Sequence, residues 1–339
     1  MYVPANVVTN NDLLKYMDTS DEWIQERTGI KERRFAHRTH ETTTTMGVEA
    51  ATIAIERAGI TPRDIDFIIF ATLCPDYYFP GCGVLLQRAM KMKEIGALDV
   101  RNQCSGFVYA LSVGDQFIKS GMYKNILVVG SDKHSFGLDF STRGRNVSVI
   151  FGDGAGAVVL QPTEDKGRGM LSTHLHSDGE SAEMLAMFNP GTHANHWTEQ
   201  KLANFDETEI GDMFMSHAMI DKAQLFPNMD GPAVFKKAVE KFPEVIMEAL
   251  DKNGLQTTDI KILIPHQANL RISQFVQKKL QLTDEQLYNN IQKYGNTTSA
   301  SIPIALCEVW EQGKIKEGDL VCLAAFGSGF TWASALLRW

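Results

Sequence analysis

The chain repeats itself. Gly59-Ile60-Thr61-Pro62-Arg63-Asp64-Ile65-Asp66-Phe67-Ile68-Ile69 lies over Gly254-Leu255-Gln256-Thr257-Thr258-Asp259-Ile260-Lys261-Ile262-Leu263-Ile264, with Gly59 on Gly254 at a shift of 195 positions. Each copy reads as a helix ended by glycine, a turn and then a buried strand. The same shift lays Cys104-Ser105-Gly106-Phe107-Val108-Tyr109-Ala110-Leu111 over Ser299-Ala300-Ser301-Ile302-Pro303-Ile304-Ala305-Leu306. Past that point the register slips by about two, and Gly121 to Gly130 then matches Gly318 to Gly327. Phe151-Gly152-Asp153-Gly154 resembles Phe326-Gly327-Ser328-Gly329, each followed by small and aliphatic residues. Segments in such near register imply duplication rather than two unrelated stretches of one generic pattern. The expectation is an α/β chain of two halves, 1–165 and 166–339, that share a core.

Composition bounds the function. At 339 residues, 44% hydrophobic and 22% charged, with no apolar run near the roughly 18 residues of a membrane span, the chain reads as soluble and globular. No signal peptide is visible, and five cysteines are too few for a disulfide scaffold of this size, so the cytoplasm is the expected compartment. A net charge of −8 argues against a general nucleic-acid surface, while leaving room for a local basic patch.

Leu98-Asp99-Val100 reads as the end of a buried strand and Phe107 to Ile118 as a helix, which sets Cys104 on a strand-to-helix turn. Backbone N–H groups at a helix start favour negative charge, so they are expected to stabilise a thiolate there and a developing oxyanion beside it. Cys74, Cys307 and Cys322 read as small buried hydrophobes, and Cys82 as packing. His266 follows the apolar run Ile260 to Ile264 and Pro265, the strand end where open α/β sheets place ligands. Asn296 precedes the helix that mirrors the cysteine helix; alone it reads as a cap. An internal two-fold brings all three segments face to face, which points to acyl transfer.

At these residues the chain resembles the β-ketoacyl-acyl-carrier-protein synthase III family of the thiolase superfamily. The resemblance runs nearly end to end, through Thr19-Ser20-Asp21-Glu22-Trp23-Ile24, Arg27-Thr28-Gly29-Ile30, the cysteine turn, Phe151 to Ala157, Pro265-His266-Gln267-Ala268-Asn269-Leu270-Arg271, Gly295-Asn296-Thr297 and Gly327 to Trp332. It implies the five-layered αβαβα thiolase fold, a homodimer and a decarboxylative Claisen condensation. In that scheme Cys104 takes an acyl group from an acyl-CoA, and a malonyl group on an acyl carrier protein loses CO₂. His266 and Asn296 hydrogen-bond the resulting enolate, and backbone N–H groups of Cys104 and Gly329 form the oxyanion hole. Degradative thiolases carry a second cysteine where this chain has Phe326-Gly327-Ser328-Gly329. No cofactor is expected beyond the CoA thioester substrate.

The same resemblance implies that Trp23, Arg27 and Arg145 bind the CoA end, with Arg143 an alternative to Arg145. Asn269 joins the substrate site, and Phe79 reaches across the dimer to the partner's acyl pocket. Arg271, Lys278 and Lys279 on one helix, and Lys236 and Lys237 on another, would dock an acidic carrier protein if they are more than a solvated face. Family members begin with a strand and glycine turn ahead of the segment matching Tyr2-Val3-Pro4. They also lack extra sequence like that from about Gly191 to Asp230, where Phe205, Met213, Phe214, Met215, Met219, Leu225, Phe226 and Met229 suggest a pocket cover or an insertion packed outside.

Gly152-Asp153-Gly154-Ala155-Gly156 is followed by a strand pattern, so no dinucleotide loop is expected. His174 with His176, and His193 with His196, lack a convincing ligand set, and no metal is expected. The leading reading is initiation of fatty acid synthesis. Alternatives are a dialkylresorcinol- or polyene-type ketosynthase of secondary metabolism joining longer or β-keto chains, a related acyltransferase, and a non-catalytic acyl-binding subunit.

Overall fold

The computed structural model describes residues 1–191 and 217–339. A short antiparallel ribbon joins β1 (Val7–Thr9) to β2 (Glu32–Arg34). The first sheet contains β3 (Phe67–Ala71), β4 (Gly96–Val100), β5 (Ile126–Asp132) and β6 (Gly154–Leu160), in the order β4-β3-β5-β6 with only β6 antiparallel. Next come β7 (Gly169–Ser177) and a second ribbon of β8 (Leu185–Ala186) with β9 (Asn228–Met229). Then β10 (Ile262–Pro265), β11 (Leu320–Gly327) and β12 (Thr331–Arg338) complete a second sheet, ordered β10-β11-β12-β7.

The layers follow from the two-residue period of the strands. In β3, Ile69 and Ala71 face a central core with Ile126 and Val128 of β5, whereas Ile68 and Phe70 face the helices Thr43–Arg57 and Cys82–Ala89. The second sheet does the same: Ile262, Ile264, Val321 and Leu323 point to the centre, and Leu263, Cys322 and Ala324 to the helices Gly231–Lys252 and Leu270–Leu280. Between the sheets lie the helices Gly106–Lys119 and Ser301–Glu311, through Phe107, Val108, Leu111, Ile302, Ala305 and Val309. The result is helix, sheet, helix, sheet, helix. Both central strands, β5 and β11, are buried along their whole length, as strands covered on two faces must be.

The duplication is visible in the backbone. Single 3₁₀ turns occupy Pro62–Asp64 and Thr257–Asp259, and again Gln103–Ser105 and Thr298–Ala300, each pair at the shift read from the sequence. Gly59 and Gly254 both take left-handed conformations, with φ of 68° and 65°. β4 departs from expectation: among the described residues it is the sheet edge, with β3 on one side only, and Leu98 is exposed. From the 191–230 region, Phe205, Met213, Phe214 and Met215 lie outside the described residues, as do His193 and His196.

One buried carboxylate fixes the segment that leads to Asn296. Glu308, on the helix Ser301–Glu311, accepts hydrogen bonds from Tyr288 Oη (3.1 Å), Asn290 Nδ2 (2.7 Å) and Tyr294 Oη (2.9 Å). Glu308→Ala would leave three buried donors without their acceptor and is expected to lower stability by about 3 kcal/mol. Chemical denaturation measures this, and a loss below about 1 kcal/mol, the worth of a surface pair, would contradict it.

Candidate active site

Cys104 sits in the 3₁₀ turn Gln103–Ser105 between β4 and the helix Gly106–Lys119, with Gln103 at φ 43° turning the chain inward. Small residues let the opposite half come close. A Cβ on Gly327 would stand 2.5 Å from Cys104 Cβ and 2.9 Å from Sγ, so only glycine fits there. The expected thiolate is corrected by the surroundings. Burial and the charge of Asp132 raise the Cys104 pKa to about 12, outweighing the backbone N–H groups of Cys104 and Ser328 that face the sulfur. The resting group is therefore a thiol, with the Cys104 amide and the Ser328 amide of the Gly327–Gly329 turn facing Sγ.

His266 leaves the C-terminal end of β10, its N–H held by Ala324 O at 2.7 Å. Its Nδ1 lies 2.6 Å from Ser301 Oγ, which also accepts from the Gln267 amide at 3.4 Å. With that amide on the oxygen, the hydroxyl proton is available to Nδ1, and this favours the tautomer with a proton on Nε2. Nε2 itself is buried and, among the described residues, has no partner. Burial drives the imidazole pKa down to about 3, so the ring is neutral. Asn296 is held through its main chain by Ile150 and Gly152, and its Oδ1 accepts from the Thr298 amide at 2.8 Å. The capping reading is corrected: Thr297 and Ala300 hold the N-cap positions of the turn and the helix that follow, and the Asn296 carboxamide closes a local turn ahead of them.

Cys104, His266 and Asn296 line one cavity of about 720 Å³ with Trp23, Arg27, Asn269 and Arg271. Its walls include Leu185, Met229, Phe235, Phe242 and Phe326. Met229 and Asp230 close the 191–230 region, so its C-terminal end does border the cavity. The guanidinium groups of Arg27 and Arg145 both lie over the Trp23 ring, 4.4 Å and 4.9 Å from its centroid. Arg143 pairs with Asp139, and Arg145 with Asp18. Asn269 caps the helix Leu270–Leu280 and donates to Arg27 O at 2.9 Å.

Other expected residues stand apart from the cavity. Lys278 and Lys279 occupy the last turn of the helix whose first turn holds Arg271. Lys236 and Lys237 lie on the helix Gly231–Lys252, and Lys237 is 3.6 Å from Asp178. Phe79 is 81% exposed beside exposed Tyr77 and Tyr78. Gly329, at φ 136°, lies in the turn after β11. His174 and His176 both contact Glu248. Strand β6 begins within the glycine run, at Gly154, and continues through Leu160.

Sequence reasoning missed a buried polar group behind the cavity. Cys74 is not an apolar packing residue: its Sγ lies 3.6 Å from His134 Nδ1, beside Asp132. Cys307 likewise is half-buried, 3.1 Å from Arg57 Nη1. Cys82 and Cys322 are buried as expected. The Asp132 carboxylate accepts from Thr72 Oγ1, the amides of Leu73 and Cys74, and both the amide and hydroxyl of Ser299, leaving little capacity for a metal ion. The strand-end logic applied to His266 would have found Asp132, the last residue of β5.

Comparison with known proteins agrees with this geometry. Residues 98–179 match the family 3-oxoacyl-[acyl-carrier-protein (ACP)] synthase III, and residues 250–339 match its C-terminal family. The chain is 42% identical to the β-ketoacyl-[acyl-carrier-protein] synthase III of Aquifex aeolicus, over 100% of this chain and 97% of that one. A crystal structure of the Aquifex aeolicus enzyme superposes with a TM-score of 0.86 at 43% identity, covering 100% of this chain and 97% of that chain. The priming β-ketosynthase of the R1128 polyketide pathway superposes at 0.85 with 30% identity, covering 99% and 93%.

Two outcomes are expected of the thiol. Because its pKa lies near 12, alkylation of Cys104 by iodoacetamide should rise about tenfold per pH unit from pH 7 to 10, and a plateau near pH 8 would contradict the buried-thiol account. Gly327→Ala should lower stability by about 2 kcal/mol through overpacking against Cys104, measured by denaturant unfolding; an unchanged midpoint would contradict the close approach.

Proposed function

The chain belongs to the 3-oxoacyl-[acyl-carrier-protein] synthase III family, and from that premise we propose that it condenses an acyl thioester with a malonyl thioester, initiating fatty acid synthesis. The observation that carries this reading is the single cavity holding a buried thiol, a neutral imidazole whose Nε2 has no partner among the described residues, and a carboxamide.

The thiol of Cys104 attacks the carbonyl of an acyl-CoA. A sulfur–carbon bond forms, the CoA thiolate leaves, and the thiol proton ends on the departing sulfur. Ser301 lets His266 assist, since a hydroxyl can donate to or accept from Nδ1 and so leave Nε2 either accepting or donating. The malonyl group of an acyl carrier protein enters next. Its terminal carbon–carbon bond breaks, CO₂ departs, and the electron pair becomes an enolate whose oxygen accepts from His266 Nε2–H and the Asn296 side chain. The carbanion then attacks the acyl-cysteine, the carbon–sulfur bond breaks as the tetrahedral intermediate collapses, and the released thiolate takes a proton from solvent to regain the resting thiol. The oxyanion of that intermediate is assigned to the Cys104 amide and, from the family pattern, the Gly329 amide. Decarboxylation makes the nucleophile, so neither a strong base nor a cofactor is required.

Trp23, Arg27, Arg145 and Asn269 supply the CoA end, where the two guanidinium groups suit phosphates. Arg271 at the mouth is the cation best placed to meet an acidic carrier protein, with Lys236, Lys237, Lys278 and Lys279 on the surrounding helices. A homodimer is supported by the edge of β4, uncovered among the described residues, and the exposed run Tyr77-Tyr78-Phe79, which a second copy would bury. Five free cysteines support a cytoplasmic setting, and among the described residues no helix is long and apolar enough to cross a membrane.

Intact-protein mass spectrometry after incubation with acyl-CoAs from acetyl to dodecanoyl and an aryl-CoA tests the proposal. One rapid acetyl adduct, lost in Cys104→Ala, is expected. A preference for long or β-keto groups would replace fatty acid initiation by a specialised ketosynthase, and no adduct on any substrate would overturn the enzyme reading.

A further inference from the structure

We propose that His134 is a positioning residue for Asn296, acting through Thr298. The inference rests on the reading in which Asn296 donates to the enolate.

His134 follows β5 by two residues, in the 3₁₀ turn His134–Phe136, and is buried. Both ring nitrogens are engaged: Nε2 makes a short hydrogen bond with Thr298 Oγ1, and Nδ1 faces the Cys74 thiol at 3.6 Å. The ring also stacks on Phe151, with centroids 4.4 Å apart, and Phe151 lines the cavity. Thr298 in turn donates its amide to Asn296 Oδ1. That bond fixes which end of the carboxamide is spent inside the protein, and so which end is left for the substrate.

The link is needed because Thr298 is strained. Its φ is 51°, the left-handed region, where a β-branched residue is disfavoured by about 1–2 kcal/mol. Gln103, its counterpart in the first half, has φ 43° but is unbranched. Left to itself, Thr298 would relax to an ordinary conformation and swing its amide away from Asn296 Oδ1. The hydrogen bond to His134 opposes this. The imidazole serves without charge, since burial lowers its pKa to about 3. A role in packing alone would be filled as well by an apolar side chain and would not use both ring nitrogens.

The test separates the two half-reactions. His134→Leu removes the hydrogen bonds, His134→Gln places an amide near the former Nε2, and Thr298→Val removes the hydroxyl while keeping the branched shape. Cys104 acylation by acetyl-CoA is followed by mass spectrometry, and CO₂ release from a malonyl thioester by steady-state kinetics.

Removing an oxyanion donor outright costs about 10²–10³ in turnover, so misaligning one should lower kcat for CO₂ release about tenfold in His134→Leu, with KM and acylation changed by no more than about twofold. His134→Gln should recover most of the loss. Thr298→Val should match His134→Leu, and the double variant should be no worse than either, because both break one link.

Unchanged CO₂ release in His134→Leu would overturn the inference. So would a parallel fall of both half-reactions without rescue by glutamine, or multiplying effects in the double variant. Should His134→Leu fail to fold, His134→Gln and Thr298→Val carry the comparison. Asn296→Ala is the discriminating control. If it releases CO₂ like the unaltered protein, the parent reading fails; if it is inactive while the His134 and Thr298 variants are not, only the present inference fails.

Discussion

The two halves close on one carboxylate. Asp132 ends a fully buried central strand and receives hydrogen bonds from Thr72, Leu73 and Cys74 in its own half and from the amide and hydroxyl of Ser299 in the other. Removal from water raises its pKa to about 6, and those donors are what limit the rise. The contact works only if the backbones nearly touch. A Cβ on Gly130 would stand 2.5 Å from Ser299 O, and Gly327 and Cys104 meet as closely on the facing side. Cysteine turn and asparagine turn are therefore held in fixed relation before any substrate arrives, which is the preorganisation that charge-stabilising sites require.

That same burial sets the chemical character of the site. Desolvation raises the thiol pKa and lowers those of both imidazoles, so Cys104, His266 and His134 rest uncharged around an ionised Asp132. A site built to abstract a proton from carbon would need a base with a pKa nearer neutrality. This one offers hydrogen-bond donors in a largely apolar cavity, which suits a reaction whose carbanion comes from loss of CO₂. Proton traffic then passes through groups that can both give and accept, such as Ser301.

Much of this was legible in the sequence because duplication leaves marks at the residue level. The glycines at 59 and 254 and the matched turns at 103–105 and 298–300 locate the strands, the central helices and the three site residues without any contact being known. Burial of β4 was misjudged because Leu98 and Val100 look apolar in either setting; strand order, a long-range property, decides exposure. The thiolate expectation failed for a related reason. The helix start and its amides are local and readable, whereas Asp132 and the depth of burial come from pairing across the chain. The pairing of Cys74 with His134 escaped notice because they lie 60 positions apart, and the Asn296–Thr298 bond depends on a left-handed threonine that residue type alone argues against. The cavity likewise draws Asn146 to Phe151 from a loop between β5 and β6 that has no counterpart in the tight turn joining β11 to β12.

In the proposed reaction His266 and Asn296 create and hold the carbanion independently of the nucleophile. Measuring CO₂ release from a malonyl thioester by Cys104→Ala, with no acyl donor present, addresses it most directly. Continued decarboxylation by Cys104→Ala is expected, with a loss of about 10²–10³ when His266→Ala or Asn296→Ala is added to that background. Decarboxylation that stops in Cys104→Ala, or that persists undiminished without His266 and Asn296, would contradict it.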